Sequence, residues 1–241
     1  MSDPNEVSSE AIAKRSFPPE LPLLVTGEVV LYPYMAAPIM IDDETSIHTI
    51  EEALKTGHKV AALFGRLNPE DTREATRIRA DQLYPVGVAI QIARSQRMLD
   101  GRLQVLVHGV KRVGMERVLD PKPYPTARVR ELEDIAEKTT RSEAIARNVF
   151  GQFRKAVELA PNVPSEMAEA MIQLPDRGQQ VDFIATQLNL DFEERQELLG
   201  ELSVRRRFET LTTYLNREVE ILELRQKIQS EATGTMEEAQ R

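Results

Sequence analysis

The chain has 241 residues, enough for one large or two small domains, and we expect two. Its net charge of -8 argues against a function that depends on neutralising phosphates, so nucleic acid is not an expected main partner. The absence of cysteine excludes disulfides, thiolate nucleophiles and cysteine-based metal sites, and it agrees with a reducing compartment.

The N-terminal segment, residues 1–19, carries acids, serine and proline but no apolar run that could form a signal-peptide core. We expect it to be a flexible extension. No later stretch approaches the ~20 apolar residues of a membrane span, so we expect no membrane partner. Together with the lack of cysteine, this predicts a cytoplasmic location.

Residues 20–133 are predicted to form a small β-rich lobe, because short β-branched runs alternate there with glycine and proline. The predicted strands are 21–25, 28–33, 38–41, 59–64 and 126–132. Acids at residues 42–44 indicate the start of one helix, and Gly57 suits a left-handed conformation at its end. Residues 66–81 show neither period and are predicted to be a long surface loop.

A hairpin is the clearest local β signal. Apolar residues alternate along two runs that flank a turn at Asp100-Gly101; they are Val86, Val88, Ile90 and Ile92, then Leu103, Val105 and Val107. Gly109 and Gly114 interrupt the second run, which predicts a bulge or bend that curls the sheet. We therefore expect a small antiparallel or mixed barrel carrying one helix.

Residues 134–202 are predicted to form a helical bundle, and residues 203–241 a long helix, because apolar residues recur there at spacings of three and four. The overall class is therefore α+β. One stripe of the long helix begins at Val204 and ends at Leu222. A second stripe of Ile221, Leu224 and Ile228 drifts off the first, so we expect this end to pack on something further. The chain stops without a convincing helix terminator, which suggests a connector to missing polypeptide.

The sequence contains no motif for catalysis. It has no G-x-x-x-x-G-K-[ST], no G-x-S-x-G and no H-E-x-x-H. The three histidines, His48, His58 and His108, lie on different elements without ligand spacing. We predict no catalytic residue, no metal ligand and no cofactor in this chain.

Two pairs of residues at predicted turns are candidates for binding polypeptide: Tyr34 with Met35, and Met98 with Leu99. Turn residues are often exposed, and flexible methionine side chains suit contact with varied apolar segments. The alternative is that most of these side chains belong to the core.

Arg205, Arg206 and Arg207 open the long helix, where positive charge opposes the helix dipole. The favoured interpretation is that their stems lie over apolar neighbours while their charges stay in water. The alternative is that they contact an acidic partner surface.

Three segments in order resemble the N-terminal domain of Lon-type ATP-dependent proteases. They are LPLLVTGEVVLYPYMAAPIMI, DQLYPVGVAIQIARSQRMLDGRLQVLVHGVKRVGM and DFEERQELLGELSVRRRFETLTTYLNREVEILELRQKIQSE, and the resemblance extends from Leu21 to Arg241. The most specific parts are Leu83-Tyr84 with Val86-Gly87, the DG hairpin followed by VLVHGVKR, and RQELLGEL. The sequence departs from the family pattern at Thr26-Gly27, at Tyr34 and at the arginines that open the long helix.

The resemblance implies a PUA-like β-barrel lobe, a helical lobe and a long helix that leads to ATPase and Ser-Lys protease domains. Those domains, with their ATP and Mg²⁺, would lie outside this chain. It also implies unfolded or damaged proteins as substrates and a homohexamer as the assembly. A free-standing adaptor without protease remains the alternative function. RNA binding is a weaker one, since PUA-like barrels elsewhere bind RNA but this chain is acidic.

Overall fold

The computed structural model describes residues 17–68, 78–119, 124–160 and 163–239. Most of the predicted N-terminal extension and part of the predicted 66–81 loop lie outside these residues. The chain divides into two compact units. One contains the residues up to Glu133 together with Phe192–Leu202, and the other contains Asp134–Asp191 together with the residues from Ser203 onward. The fold is mixed α+β.

The first unit is built on six strands. They are β1 Glu20–Thr26, β2 Ala36–Ile41, β3 Val60–Gly65, β4 Val86–Arg97, β5 Leu103–Val118 and β6 Thr126–Glu131. The order is β2-β5-β4-β3-β1-β6, and β5 also pairs with β6, so five strands close into a ring. Among these six strands, β1 and β3 pair in parallel and the other pairs are antiparallel. Strand β2 pairs with β5 alone among the described strands, which leaves its other edge open.

Helix α1, Glu44–Lys55, begins where predicted because the Asp43 carboxylate accepts a hydrogen bond from Ser46 N at 2.8 Å. Its end differs from the prediction. Gly57 does not adopt a positive φ, and the helix ends at Thr56 in an extended conformation. The left-handed residue is instead Lys59, with φ of 50°, immediately before β3.

The predicted strand at 28–33 is wrong. Residues 29–32 have no assigned secondary structure, although Leu31 and Tyr32 are buried. The Tyr32 hydroxyl donates to the Arg195 carbonyl at 2.9 Å, so this segment is an irregular loop anchored by its side chains. The β-branched and aromatic content that suggested a strand reflects burial, which a strand and an anchored loop share.

The hairpin of β4 and β5 is confirmed, and Gly101 at its turn has a φ of 89°. The register shifts where Ala89 pairs with Lys111 and Ile90 with Gly109, so the bulge predicted at Gly109 is present. A Cβ on Gly109 would lie 2.1 Å from the Tyr32 carbonyl oxygen, so the anchored loop requires glycine there. Gly114 pairs regularly with Val86.

The second unit contains α2 Thr140–Leu159, α3 Glu166–Gln173, α4 Arg177–Gln187 and the long α6 Val204–Ala239. The predicted stripe of α6 is buried from Val204 to Leu222, whereas Ile221, Leu224 and Ile228 are exposed. None of the helices in the described ranges has the length and hydropathy to cross a membrane.

Helix α5, Phe192–Gly200, belongs to the first unit, whereas the predicted range 134–202 placed it in the helical bundle. Hydrogen bonds between side chains and backbone fix it there. Gln196 Nε2 donates to the Val86 carbonyl at 2.8 Å, and Arg112 Nε donates to the Leu199 carbonyl at 3.0 Å. Buried polar groups need such partners, so these bonds make the docking of α5 specific.

Candidate functional site

The outer side of β2 and β5 carries apolar side chains in solvent. Alternation along both strands sends Ile39, Ile41 and Val105 into the core and turns Pro38, Met40 and Leu106 outward. Pro38 lies directly opposite Leu106 in the ladder. Met40 is 44% exposed and Leu106 is 38% exposed.

The hairpin tip continues this side of the sheet. Gln96 pairs with the outward Gln104, so Met98, two residues further on and just past the end of β4, lies on the same side, and it is 38% exposed. Leu99 follows in the turn and is fully exposed. We call Pro38, Met40, Met98, Leu99 and Leu106 the apolar face.

Polar contacts hold the tip in place. Asp100 accepts hydrogen bonds from Arg102 N at 3.1 Å and Arg102 Nε at 2.7 Å. These bonds lower the pKa of the Asp100 carboxyl, so it stays ionised at neutral pH. Behind the tip, Arg97 Nη2 pairs with Glu51 on α1 at 3.0 Å. Leu99 is therefore exposed by a turn with a defined conformation.

The four predicted polypeptide-binding residues do not come together. Met98 and Leu99 lie in the apolar face. Tyr34 and Met35 lie at the opposite end of the β2–β5 ladder, where Tyr34 N donates to the Gly109 carbonyl at 2.8 Å. The two ends are about 20 Å apart along β5 at ~3.4 Å per residue. Met35 packs on the core cluster beneath α1, and Tyr34 is half-buried with φ of 65°.

The sequence contained a signal for the members of the apolar face that were not predicted. The residues of β5 that face the core, Leu103, Val105 and Val107, were recognised from their alternation, which requires Leu106 to face outward. Pro38 follows from the same rule applied to β2. An apolar residue at a position that the alternation assigns to solvent therefore indicates an exposed apolar surface.

The three arginines at the start of α6 have different environments. Arg205 donates to Glu137 at 3.1 Å and to Glu209 at 2.7 Å, and both contacts raise its pKa. Arg206 is exposed. Arg207 has no exposed surface and is ion-paired with Asp182 at 2.5 Å and with Asp134. A partner-contact role for Arg207 does not fit this burial, and its charge is balanced by the buried Asp182 carboxylate and the partly exposed Asp134 carboxylate rather than by water.

Comparison with known proteins agrees with this architecture. Residues 20–217 match the family described as the ATP-dependent protease La (LON) substrate-binding domain. The fold resembles that of the N-terminal domain of Mycobacterium avium complex Lon protease, with a TM-score of 0.68 and 18% identity over 82% of this chain and 98% of that one. It also resembles a Lon N-terminal domain protein from Xanthomonas campestris, with a TM-score of 0.54 and 18% identity over 81% and 98% of the two chains.

The chain belongs to the family of Lon substrate-binding domains. It is 34% identical over 227 residues to a Lon protease of Dictyoglomus thermophilum, covering 94% of this chain and 28% of the relative. It is 32% identical over 241 residues to Lon protease 2 of Herpetosiphon aurantiacus, covering 100% of this chain and 29% of the relative. The chain thus spans less than a third of each, and its family match is to the substrate-binding domain rather than to the ATPase or protease domains.

Proposed function

We propose that this domain captures unfolded or damaged polypeptide through the apolar face and delivers it to an ATPase and a Ser-Lys protease in the same parent chain. The observation that carries the proposal is the apolar face itself, four of whose side chains are 38% or more exposed on one side of the strands and at the hairpin tip. Large apolar side chains that are grouped in solvent on one side of a sheet are typical of an interaction site. The family membership supplies the class of partner.

The chemistry of the face suits a variable partner. Met40 and Met98 are flexible and polarizable, so they adapt to different apolar side chains. The face consists of five residues, so we expect weak binding to each domain. In the homohexamer that we propose for the parent, several weak sites act at high effective concentration and retain a substrate without binding any one segment tightly.

The remaining parts of the proposal concern the parent protein. We propose that the closed ring of five strands is a PUA-like barrel and that the parent acts in the cytoplasm. ATP and Mg²⁺ are assigned to the ATPase domain. Within the described residues, no group of three or more His, Asp or Glu side chains could hold a metal ion.

A titration tests the proposed surface. A permanently unfolded model protein, such as a reduced and carboxymethylated one, is titrated against the unsubstituted chain and against the four-serine variant, in which Met40, Met98, Leu99 and Leu106 are serine. We expect the variant to bind at least about ten-fold more weakly, because each exposed apolar side chain buried on binding contributes roughly 0.5–1 kcal/mol at ~25 cal/mol per Å².

Two controls make the test specific. The first replaces Leu67 and Ile172, which are 50% and 53% exposed outside the apolar face, with serine and should leave affinity unchanged. The second replaces Tyr34 alone with serine and tests the opposite end of β2. Equal affinity of the unsubstituted chain and the four-serine variant for the unfolded protein would refute the proposed surface. A loss of affinity in the first control would show that binding is not localised to the apolar face.

A further inference from the structure

The backbone of β2 offers hydrogen-bonding groups on the side away from β5. Gly109 N donates to the Met35 carbonyl at 2.8 Å, which fixes the alternation of the antiparallel ladder. Ala37, Ile39 and Ile41 therefore bond to β5, and the backbone groups of the residues that alternate with them point outward. Those residues are Ala36, Pro38 and Met40, and all three are exposed.

The outward groups pair with no other strand in the described part of the chain, since β2 pairs with β5 alone. They comprise two N–H donors, from Ala36 and Met40, and three carbonyl acceptors. Proline at the centre removes the third donor, as is common on edge strands that must not pair permanently. The edge can still accept a neighbouring strand, but with an incomplete ladder.

We propose that a client polypeptide binds in extended form along this edge and adds a strand to the sheet beside β2. The proposal rests on the function proposed above and specifies how the client is held. Backbone bonds to Ala36 and Met40 would align the client, and alternate client side chains would lie beside Met40 on the apolar face. Main-chain pairing does not depend on sequence, which suits a domain that must accept many unfolded segments.

A second copy of this chain is a poorer occupant. Two six-residue edges paired with each other would bury well under the ~1,000 Å² that a stable interface needs, and each would bring a proline to the junction. The same small area is sufficient for a transient contact with a client. The edge therefore fits an extended peptide better than a dimer.

The test uses Pro38→Ala, which restores the missing donor and leaves the rest of the apolar face unchanged. The probe is a synthetic eight-residue peptide of alternating leucine and threonine, with two further versions, one N-methylated at the leucine amides and one at the threonine amides. We expect Pro38→Ala to bind the unmodified peptide about two- to ten-fold more tightly, as one added backbone hydrogen bond allows. We expect the unsubstituted chain to bind one of the two N-methylated peptides much more weakly than the unmodified peptide and the other about equally well, because only alternate amides of an added strand face β2.

The outcomes separate this mode of binding from the proposed function. If the four-serine variant loses the peptide while Pro38→Ala and both N-methylated peptides behave like their references, the apolar face binds clients and strand addition is refuted. If the four-serine variant also binds normally, both proposals fail. The oligomeric state of Pro38→Ala is measured by sedimentation as well, because tighter peptide binding supports strand addition only if the variant has the same oligomeric state as the unsubstituted chain.

Discussion

Replacing Arg207 with methionine tests the most deeply buried charges of the helical unit. The methionine fills most of the space but removes the Arg207 cation, which lies 2.5 Å from the Asp182 carboxylate, and that carboxylate is 3% exposed. Asp134 is 30% exposed and regains part of its hydration. Breaking a buried ion pair by removing one partner typically costs about 3–5 kcal/mol, and here one carboxylate carries nearly all of that cost. We expect a loss of about 3 kcal/mol in the free energy of unfolding.

The assay is urea unfolding followed by far-ultraviolet circular dichroism, with hydrogen exchange to locate the weakened helices. Arg206→Met is the matched control, because Arg206 is exposed on the same turn of α6, and we expect it to change stability by less than about 0.5 kcal/mol. Adding Asp182→Asn to Arg207→Met should restore part of the loss by removing the buried charge that Arg207 had balanced. A loss below about 1 kcal/mol, or a double variant no more stable than the single one, would refute this account.

Two further substitutions, Gly109→Ala and His58→Asn, test the β unit. Gly109→Ala should destabilise it by roughly 1–3 kcal/mol, because the new Cβ meets the Tyr32 carbonyl oxygen. Gly151→Ala on α2, in the helical unit, is the contrasting change: no atom lies within 4 Å of the new Cβ, so it should stabilise by about 0.5–1 kcal/mol, and urea midpoints that moved alike would contradict this. Partial burial lowers the pKa of His58, whose Nδ1 accepts a hydrogen bond from Val60 N at 3.1 Å, so its contribution to stability is full above pH 6.5 and falls as the pH drops toward the lowered pKa. His58→Asn keeps a hydrogen-bond acceptor that does not titrate, so the urea midpoint should depend less on pH between pH 5 and 7. An unchanged pH dependence would show that His58 is not the group responsible.

Local pattern was enough to predict most of the elements. Alternation along β4 and β5 and the Asp100-Gly101 turn predicted the hairpin, and the stripe from Val204 to Leu222 predicted the buried side of α6. The segment at 28–33 was mispredicted because its anchor is the Arg195 carbonyl, which lies 163 residues from Tyr32 in sequence. Hydropathy records that a residue is apolar and not which partner covers it.

For the arginines of α6, likewise, the sequence shows the charges but not the partners that balance them. Three adjacent cations at a helix N-terminus suggested a surface feature, since the helix dipole disfavours them there. The compensating carboxylates of Glu137 and Asp182 come from segments 68 and 25 residues away from their arginine partners. Only the fold brings those acids to the helix, so sequence alone could not divide the run into one ion-paired, one exposed and one buried side chain.

The apolar face follows from alternation, because one side of each strand packs in the core while the other side faces solvent. On β5 the inward residues, Val105 among them, belong to the core, so they secure the fold whatever stands at the positions between them. Leu106 lies between two such positions and is exposed, so its methyl groups contribute little to folding and remain available to a partner. A surface that binds unfolded polypeptide needs this separation, because apolar groups that stabilised the domain itself would be unavailable to a client.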